Sequence, residues 1–232
     1  MDCGLFQGFK SLRLKNWAPF PVEPRSIEAV ILTHAHLDHS GCLPLLVKRG
    51  FAGPTFCSRA TANLCAILLP DAEHLQEKDA EYANRHGFSK HKPALPLYTE
   101  HDARKALEYL KPVPFDEDMK LMGRRTMRLR PAGHILGAES VELSLAGLTI
   151  VFSGDLGRYN DVTMVDPVGI DRTDYVLVES TYGNRLHDRG DPPEALADVV
   201  GRTIVRGGTV IIPAFAVGRT QSLLFYFEQQ GY

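Results

Sequence analysis

Short apolar runs alternate with amphipathic stretches along this chain, a pattern typical of an α/β protein. The runs EAVILTH (28–34) and DYVLVEST (174–181) predict buried strands, because each is brief and ends in polar residues. Over residues 111–153 the period shifts towards two, which predicts further strands, two of them joined by a tight turn at Ala146-Gly147. Another strand is expected over 209–215. The predicted helices are 37–50, 60–88 (interrupted at Pro70), 99–110 (with Thr99 as N-cap), 194–208 and a last one from 220.

The composition restricts the classes of function. A net charge of −2 provides no global positive field for nucleic acid, so such a ligand would need local charge or bound metal. The apolar stretches are too short to cross a membrane. The four cysteines form no CxxC pair and are typical of reduced thiols, so we expect a cytoplasmic protein and no zinc ribbon.

One segment, LTHAHLDHS at 32–40, contains three of the nine histidines. The i, i+2 spacing of His34 and His36 places both rings on one side of an extended segment, and Asp38 and His39 follow where the chain turns towards a helix. Imidazole nitrogen suits zinc, and a neighbouring carboxylate suits a second or bridging position. A single histidine here would more often be a helix cap or a surface residue, but the cluster predicts metal binding.

Two later residues are candidates to complete the site. His134, in PAGHILGA, follows a predicted strand, and Asp155, in VFSGDLGR, follows another and is flanked by glycines that allow close backbone approach. Each alone would more often be structural, as a loop histidine or a turn aspartate. Together with the first cluster they favour a shared metal site.

These motifs carry a resemblance. HAHLDH, the later GH and SGD, and the opening DCGLFQG resemble the metallo-β-lactamase superfamily, and VESTYGNRLH (178–187) and IIPAFAVGRTQSLL (211–224) resemble its β-CASP subgroup of RNA-processing nucleases. The resemblance implies an α/β fold, the four-layer αβ/βα sandwich, with a metallo-β-lactamase domain at 1–187 and the start of a β-CASP cap at 188–232. It also implies two zinc ions. His34, His36 and His134 would hold one, Asp38 and His39 the other, and Asp155 would bridge them, while Asp2 and Glu179 would orient the ligands.

Some positions that the family pattern requires are not matched. The family has a strand hairpin before the first aspartate motif, two cap histidines and a late ligand histidine, and His187 matches none of these histidines. We therefore expect a fragment that lacks one zinc ligand and most of the cap.

Other candidates have simpler alternatives. Arg219, near a predicted helix N-terminus, would contact phosphate or form a salt bridge. Tyr182 would stack on a base or pack as an ordinary aromatic. The basic stretch 124–130 is expected to be a solvated strand face, with RNA contact as the alternative, and His74, His86, His91 and His101 are expected at the surface.

The resulting hypothesis is zinc-dependent hydrolysis of RNA phosphodiester bonds, with Asp38, Asp155 and Glu179 as catalytic residues. Two zinc ions would activate a shared water for in-line attack. We expect single-stranded RNA as the partner, with DNA as an alternative, no membrane, and a homodimer as the candidate assembly. The competing hypotheses are a thioester, lactone or lactam hydrolase of the same fold and a non-catalytic nuclease partner subunit.

Overall fold

The fold is known from a computed structural model that describes residues 1–186, 190 and 192–231. The strands are β1 (Val30–Ile31), β2 (Thr55–Cys57), β3 (Leu110–Pro112), β4 (Met119–Lys120), β5 (Arg125–Pro131), β6 (Glu139–Leu145), β7 (Leu148–Phe152) and β8 (Tyr175–Leu177). The α-helices are α1 (Lys10–Arg13), α2 (Leu37–Ser40), α3 (Leu43–Lys48), α4 (Arg59–His86), α5 (Glu100–Leu107), α6 (Pro192–Val205) and α7 (Arg219–Gln229). Short 3-10 turns occupy Leu14–Trp17 and Pro24–Ser26.

The strands form two sheets. β1, β2 and β3 make a parallel sheet, and β4 to β8 make a second sheet in sequence order. Within the second sheet the pairs are antiparallel up to β7, and β8 then pairs parallel to β7. Strands β5, β7 and β8 therefore run in the same direction, so their carboxyl ends meet at one edge of the sheet.

Two apolar layers hold the sandwich together. One lies between the helices and the parallel sheet and includes Leu32, Leu43, Leu69 and Tyr98, all fully buried. The other lies between the two sheets, where Ile31 and Phe56 belong to the same cluster as residues of β5 and β6. The α/β sandwich expected from the sequence is thus confirmed.

Local sequence signals predicted several elements correctly. Thr99 caps α5, with a reciprocal bond to Asp102 that completes a capping box. The turn at Ala146-Gly147 has positive φ at both residues, as a tight hairpin between β6 and β7 requires. The predicted helix 37–50 is split into α2 and α3 around Gly41.

The predicted interruption of the long helix at Pro70 is wrong, because α4 runs through it without a break. Proline removes one backbone hydrogen bond from a helix interior. Cys65 and Leu69 on one side of Pro70 and Ala72 on the other are all buried, so packing stabilises both halves as one element.

Two predictions about apolar runs are wrong. β8 forms where expected, but its residues are exposed rather than buried, because it pairs only with β7 and no described element covers it. Residues 209–215 form no strand, since no strand in the described part of the chain pairs with them.

The predicted domain boundary between 187 and 188, and His187 with it, lie outside the described residues, so the two-domain division stays a prediction. Within the described ranges, no helix is long and apolar enough to span a membrane. The four histidines expected at the surface, His74, His86, His91 and His101, are exposed.

Candidate metal centre

The segment after β1 presents the first group of histidines. His34 is fully buried, and α2 begins directly after His36, whose carbonyl accepts hydrogen bonds from the backbone of His39 and Ser40 at 2.9 Å. The Ser40 hydroxyl donates to the Ala35 carbonyl at 2.8 Å. These bonds fix the turn from strand to helix, and with it the directions of the histidine side chains.

Glycines allow the two later loops to approach this segment. Gly133, next to His134, has φ +68°, and a Cβ there would lie 2.5 Å from the Val165 carbonyl oxygen. Gly154, next to Asp155, has φ +57°, and a Cβ there would lie 2.7 Å from Thr33 Cβ. A larger residue at either position would displace a candidate ligand.

Four side chains from these three segments converge. One ligand atom from each of His34, His36, His134 and Asp155 lies within 4.8 Å of all the others. His36 Nδ1 is 3.1 Å from His34 Nε2 and 3.2 Å from His134 Nε2. Asp155 Oδ2 is 3.9 Å from His34 Nε2 and 3.6 Å from His134 Nε2.

This spacing fits a bound transition-metal ion. A tetrahedral ion with bonds of about 2.0–2.1 Å to imidazole nitrogen separates its ligand atoms by about 3.3–3.4 Å. The measured nitrogen–nitrogen distances are close to that value. The other nitrogen of His36, Nε2, is buried and has no hydrogen-bond partner among the described residues. The four residues therefore form a His/Asp cluster suited to a divalent metal.

The electrostatics of the cluster also suit metal binding. Burial lowers the pKa of His34, and the neighbouring His39 and His36 add to this effect, so that the pKa falls to about 2. Burial also lowers the pKa of His134. Both rings are therefore neutral at neutral pH, as a metal ligand must be.

His39 differs from these rings. Burial alone would lower its pKa, but hydrogen bonds to Asp155 and Asp2 outweigh that effect and raise the pKa to about 10. The same hydrogen bond from His39 lowers the pKa of Asp155 to about 2. The ring of His39 thus lies between the carboxylates of Asp2 and Asp155.

Asp2 orients the ring of His39. Its Oδ2 lies 2.9 Å from His39 Nδ1, which leaves Nε2 facing Asp155 Oδ1 at 3.3 Å and Asp38 Oδ2 at 3.9 Å. Asp2 Oδ1 also accepts a hydrogen bond from the Thr33 backbone at 2.7 Å. His39 thus faces the opposite oxygen of Asp155 from the one that faces His34 and His134, and Asp38 lies beside His39.

Glu179, just past β8, supports the loop that carries Asp155. Its Oε1 accepts from the Leu156 backbone at 2.9 Å, and its own N–H donates to Ser153 Oγ at 3.0 Å. Glu179 therefore contacts residues on both sides of Gly154-Asp155. A cavity of about 220 Å³ beside the cluster is lined by Asp2, His39, Asp155 and Glu179 among other residues.

The two predicted substrate-binding residues differ in their surroundings. Arg219 is the first residue of α7, is exposed, and has no ion pair among the described residues. The guanidinium of Arg185 lies 5.2 Å above the ring of Tyr182, so one face of that ring already has a cation–π contact. The structure does not bring either residue into the His/Asp cluster.

The basic stretch on β5 forms ion pairs. Arg125 pairs with Glu28, Arg128 with Asp118, and Arg130 with both Asp116 and Glu142. The three paired arginines agree with the expectation of a solvated strand face, because their charge is compensated within the chain.

Sequence reasoning missed Thr33. Its hydroxyl lies 3.0 Å from Asp2 Oδ2, 3.1 Å from His34 Nδ1 and 3.3 Å from His39 Nδ1, so one side chain links three residues of the site. The only sequence signal is its position between the strand and the first histidine.

A sandwich of two sheets with a His/Asp cluster at the ends of its strands defines a metal-binding α/β protein. The model of the metallo-beta-lactamase superfamily matches residues 2–197. The chain belongs to that superfamily.

Curated relatives agree with this assignment. The chain is 36% identical over 233 residues to Ribonuclease TTHA0252 of Thermus thermophilus, covering 100% of this chain and 49% of that protein. It is 31% identical to Cleavage and polyadenylation specificity factor 73 of Drosophila melanogaster, covering 99% of this chain and 32% of that protein. It is 33% identical to Transcription termination factor FttA of Methanosarcina mazei, covering 99% and 35%.

The chain therefore spans about half of the first relative and about a third of the other two. The resemblance to the β-CASP group of RNA-processing nucleases, expected from the sequence, is confirmed by these relatives.

Proposed function

We propose that the protein carrying this chain hydrolyses phosphodiester bonds of single-stranded RNA with two bound zinc ions. The observation that carries the proposal is the convergence of His34, His36, His134 and Asp155 within 4.8 Å. The relative named as a ribonuclease supports RNA as the substrate, because it aligns with the whole of this chain.

The residues of this chain would have the following roles. His34, His36 and His134 would hold one ion through ring nitrogens, Asp38 and His39 would hold the second, and Asp155 would contribute carboxylate oxygens to the site. Zinc ions, when bound, lower the pKa of a water and neutralise charge on phosphate oxygens.

The supporting residues fix the ligands. Asp2 accepts from His39 Nδ1 at 2.9 Å and so sets which ring nitrogen faces Asp155. Glu179 holds the backbone at Leu156 and so positions Asp155. Replacement of either residue should therefore weaken metal binding without removal of a ligand.

The test is metal removal from the complete protein. Chelation should abolish cleavage of an end-labelled single-stranded RNA, Zn²⁺ should restore it, and mass spectrometry should find two zinc ions per chain. Parallel restoration with Mn²⁺ and Fe²⁺ identifies the active metal, since the same ligands accept those ions.

Matched substrates separate this function from its alternatives. DNA of the same sequence tests the choice of sugar. If the protein leaves RNA intact but hydrolyses a thioester, a lactone or a β-lactam, it is a small-molecule hydrolase and the proposal is wrong. Zinc binding with no hydrolysis of any substrate would indicate a non-catalytic partner subunit. A cytoplasmic location and a homodimer stay predictions.

A further inference from the structure

Residues 215–221, which include the first turn of α7, are anchored against the His134 loop. Val217 packs on the small cluster of Ala132, Ile135 and Ala138, which flanks His134 on both sides. The Thr220 hydroxyl donates to the Phe215 carbonyl at 2.7 Å, and Gln221 Nε2 donates to the Ala216 carbonyl at 3.0 Å. The backbone of Phe215 is therefore held in place beside the candidate metal centre.

The side chain of Phe215 is not buried by this anchoring. It is 77% exposed, although Val217 two residues later is packed. The centre of its ring lies 6.3 Å from that of His36, with the planes tilted by 48°. Single exposed apolar residues are ordinary on protein surfaces. What distinguishes Phe215 is an anchored backbone and an open ring next to the ring of a candidate metal ligand.

We propose that Phe215 stacks on a base next to the scissile phosphate of the RNA substrate. This inference rests on the function proposed above. A phosphate at the His/Asp cluster brings the bases of the two adjoining nucleotides close to His36, and hence within reach of a ring that contacts it. Every base has a π face, so stacking holds a single strand without selection of its sequence.

The other aromatic candidate is less suited to this role. The ring of Tyr182 already has the Arg185 guanidinium 5.2 Å above it. Among the described residues, the ring of Phe215 contacts the ring of His36 at a tilt of 48°, and 77% of the side chain is exposed.

The test is a double-mutant cycle between Phe215 and the base that it is proposed to contact. RNAs with a mapped cleavage site are prepared with an abasic nucleotide immediately 5′ or 3′ of that site. For the zinc-loaded complete protein, one of the two abasic RNAs should lose about 5- to 150-fold in kcat/KM. Phe215→Ala should lose a similar factor on normal RNA and little more on that abasic RNA.

Conservative variants separate stacking from simple packing. Phe215→Tyr and Phe215→Trp keep a π face and should retain kcat/KM, whereas Phe215→Leu keeps apolar bulk and should behave like Phe215→Ala. Phe88, 65% exposed after the end of α4, provides the matched control, and Phe88→Ala should cleave normally. Thermal melting of each variant reports whether it folds.

Each outcome decides the assignment. If the losses in kcat/KM from Phe215→Ala and from the abasic RNA multiply when the two changes are combined, base stacking by Phe215 is refuted. Full activity of Phe215→Leu refutes it as well. Neither result contradicts the proposed cleavage of RNA. Unfolding of Phe215→Ala together with full activity of Phe215→Leu assigns the ring to packing and also overturns base stacking. Absence of RNA cleavage by the zinc-loaded parent overturns both this inference and the proposed function.

Discussion

Two apolar runs, one early and one late in the chain, precede polar residues of the site and yet differ in burial. Val30, Ile31 and Leu32, before His34, are 5%, 7% and 0% exposed. Tyr175, Val176, Leu177 and Val178, before Glu179, are 59%, 57%, 55% and 62% exposed.

The two runs differ in burial because different elements pack against them, and not because their compositions differ. The first run belongs to a packed region, residues 28–157, where helices and a second sheet cover it. The second belongs to an open region, the described residues of 175–231, where the one strand pairs on a single side. The packed region holds the candidate metal ligands, whereas most side chains of the open region are exposed, with Val200 and Thr203 of α6 as buried exceptions.

The largest effect should come from Asp155 in the packed region. Asp155→Ala removes the carboxylate that lies within 3.9 Å of His34, His39 and His134. RNA cleavage should fall by more than about 100-fold, because loss of a residue that only supports a ligand already costs about 10- to 100-fold. Single-turnover cleavage and metal content measure the loss, and circular dichroism should show an intact fold.

Asp118→Ala is the matched control, since Asp118 pairs with Arg128 away from the cluster and should leave cleavage unchanged. Retained turnover in Asp155→Ala would refute a mechanism that uses this carboxylate at both metal positions.

The next effect compares the two apolar runs directly. In the 232-residue chain, Leu32→Ala should lower the free energy of unfolding by about 2–5 kcal/mol, because it empties a fully buried site. Val176→Ala should lower it by less than about 1 kcal/mol, because Val176 is more than half exposed. Urea denaturation monitored by circular dichroism measures both. Equal losses would show that something covers β8 and would remove the distinction between the regions.

This distinction also explains which elements the sequence could predict. The cap of α5 is a local interaction between Thr99 and Asp102, three residues apart, so the local sequence contains it. A strand requires a neighbour, and the sequence of 209–215 does not reveal whether a neighbour exists. An apolar run therefore predicts burial only where its packing partner is also known.

The residues of the candidate metal centre also differ in how well the local sequence predicts them. The spacing of His34, His36 and His39 predicts that their rings converge, because all three lie within six consecutive residues. His134 and Asp155 became candidates only in combination with the first cluster, since a single loop histidine or turn aspartate is more often structural. The bonds of Thr33 depend on side-chain directions that no spacing rule provides.

A smaller effect is expected at Arg219 in the open region. If this exposed side chain at the start of α7 contacts phosphate, Arg219→Ala should weaken RNA binding several-fold and reduce the slope of log K against log salt by about 1. Filter binding or fluorescence anisotropy over a series of salt concentrations measures both quantities. Arg104→Ala is the control, because Arg104 already pairs with Glu100 on α5. An unchanged slope would assign Arg219 a structural role.

The smallest effect should be electrostatic and within the packed region. Burial alone would raise the pKa of Asp102, but hydrogen bonds from Lys48 and Thr99 outweigh it and lower the pKa. A lowered pKa stabilises the folded state at pH values above the unfolded-state pKa, which is about 3.9. This contribution is lost as pH falls through the folded-state pKa. Asp102→Asn keeps the shape and removes the charge, so at pH 7 it should be less stable by about 1 kcal/mol or less, since Lys48 is partly exposed.

The contribution of Asp102 is isolated by its pH dependence. The parent protein and Asp102→Asn are each denatured with urea at pH values from 7 down to about 3, and their free energies of unfolding are subtracted at each pH. The titration of every other carboxylate cancels in this difference. That difference should shrink as pH falls below about 4. A difference that is constant with pH would mean that Asp102 acts through the shape of its helix cap, and that charge adds nothing to the stability of the packed region.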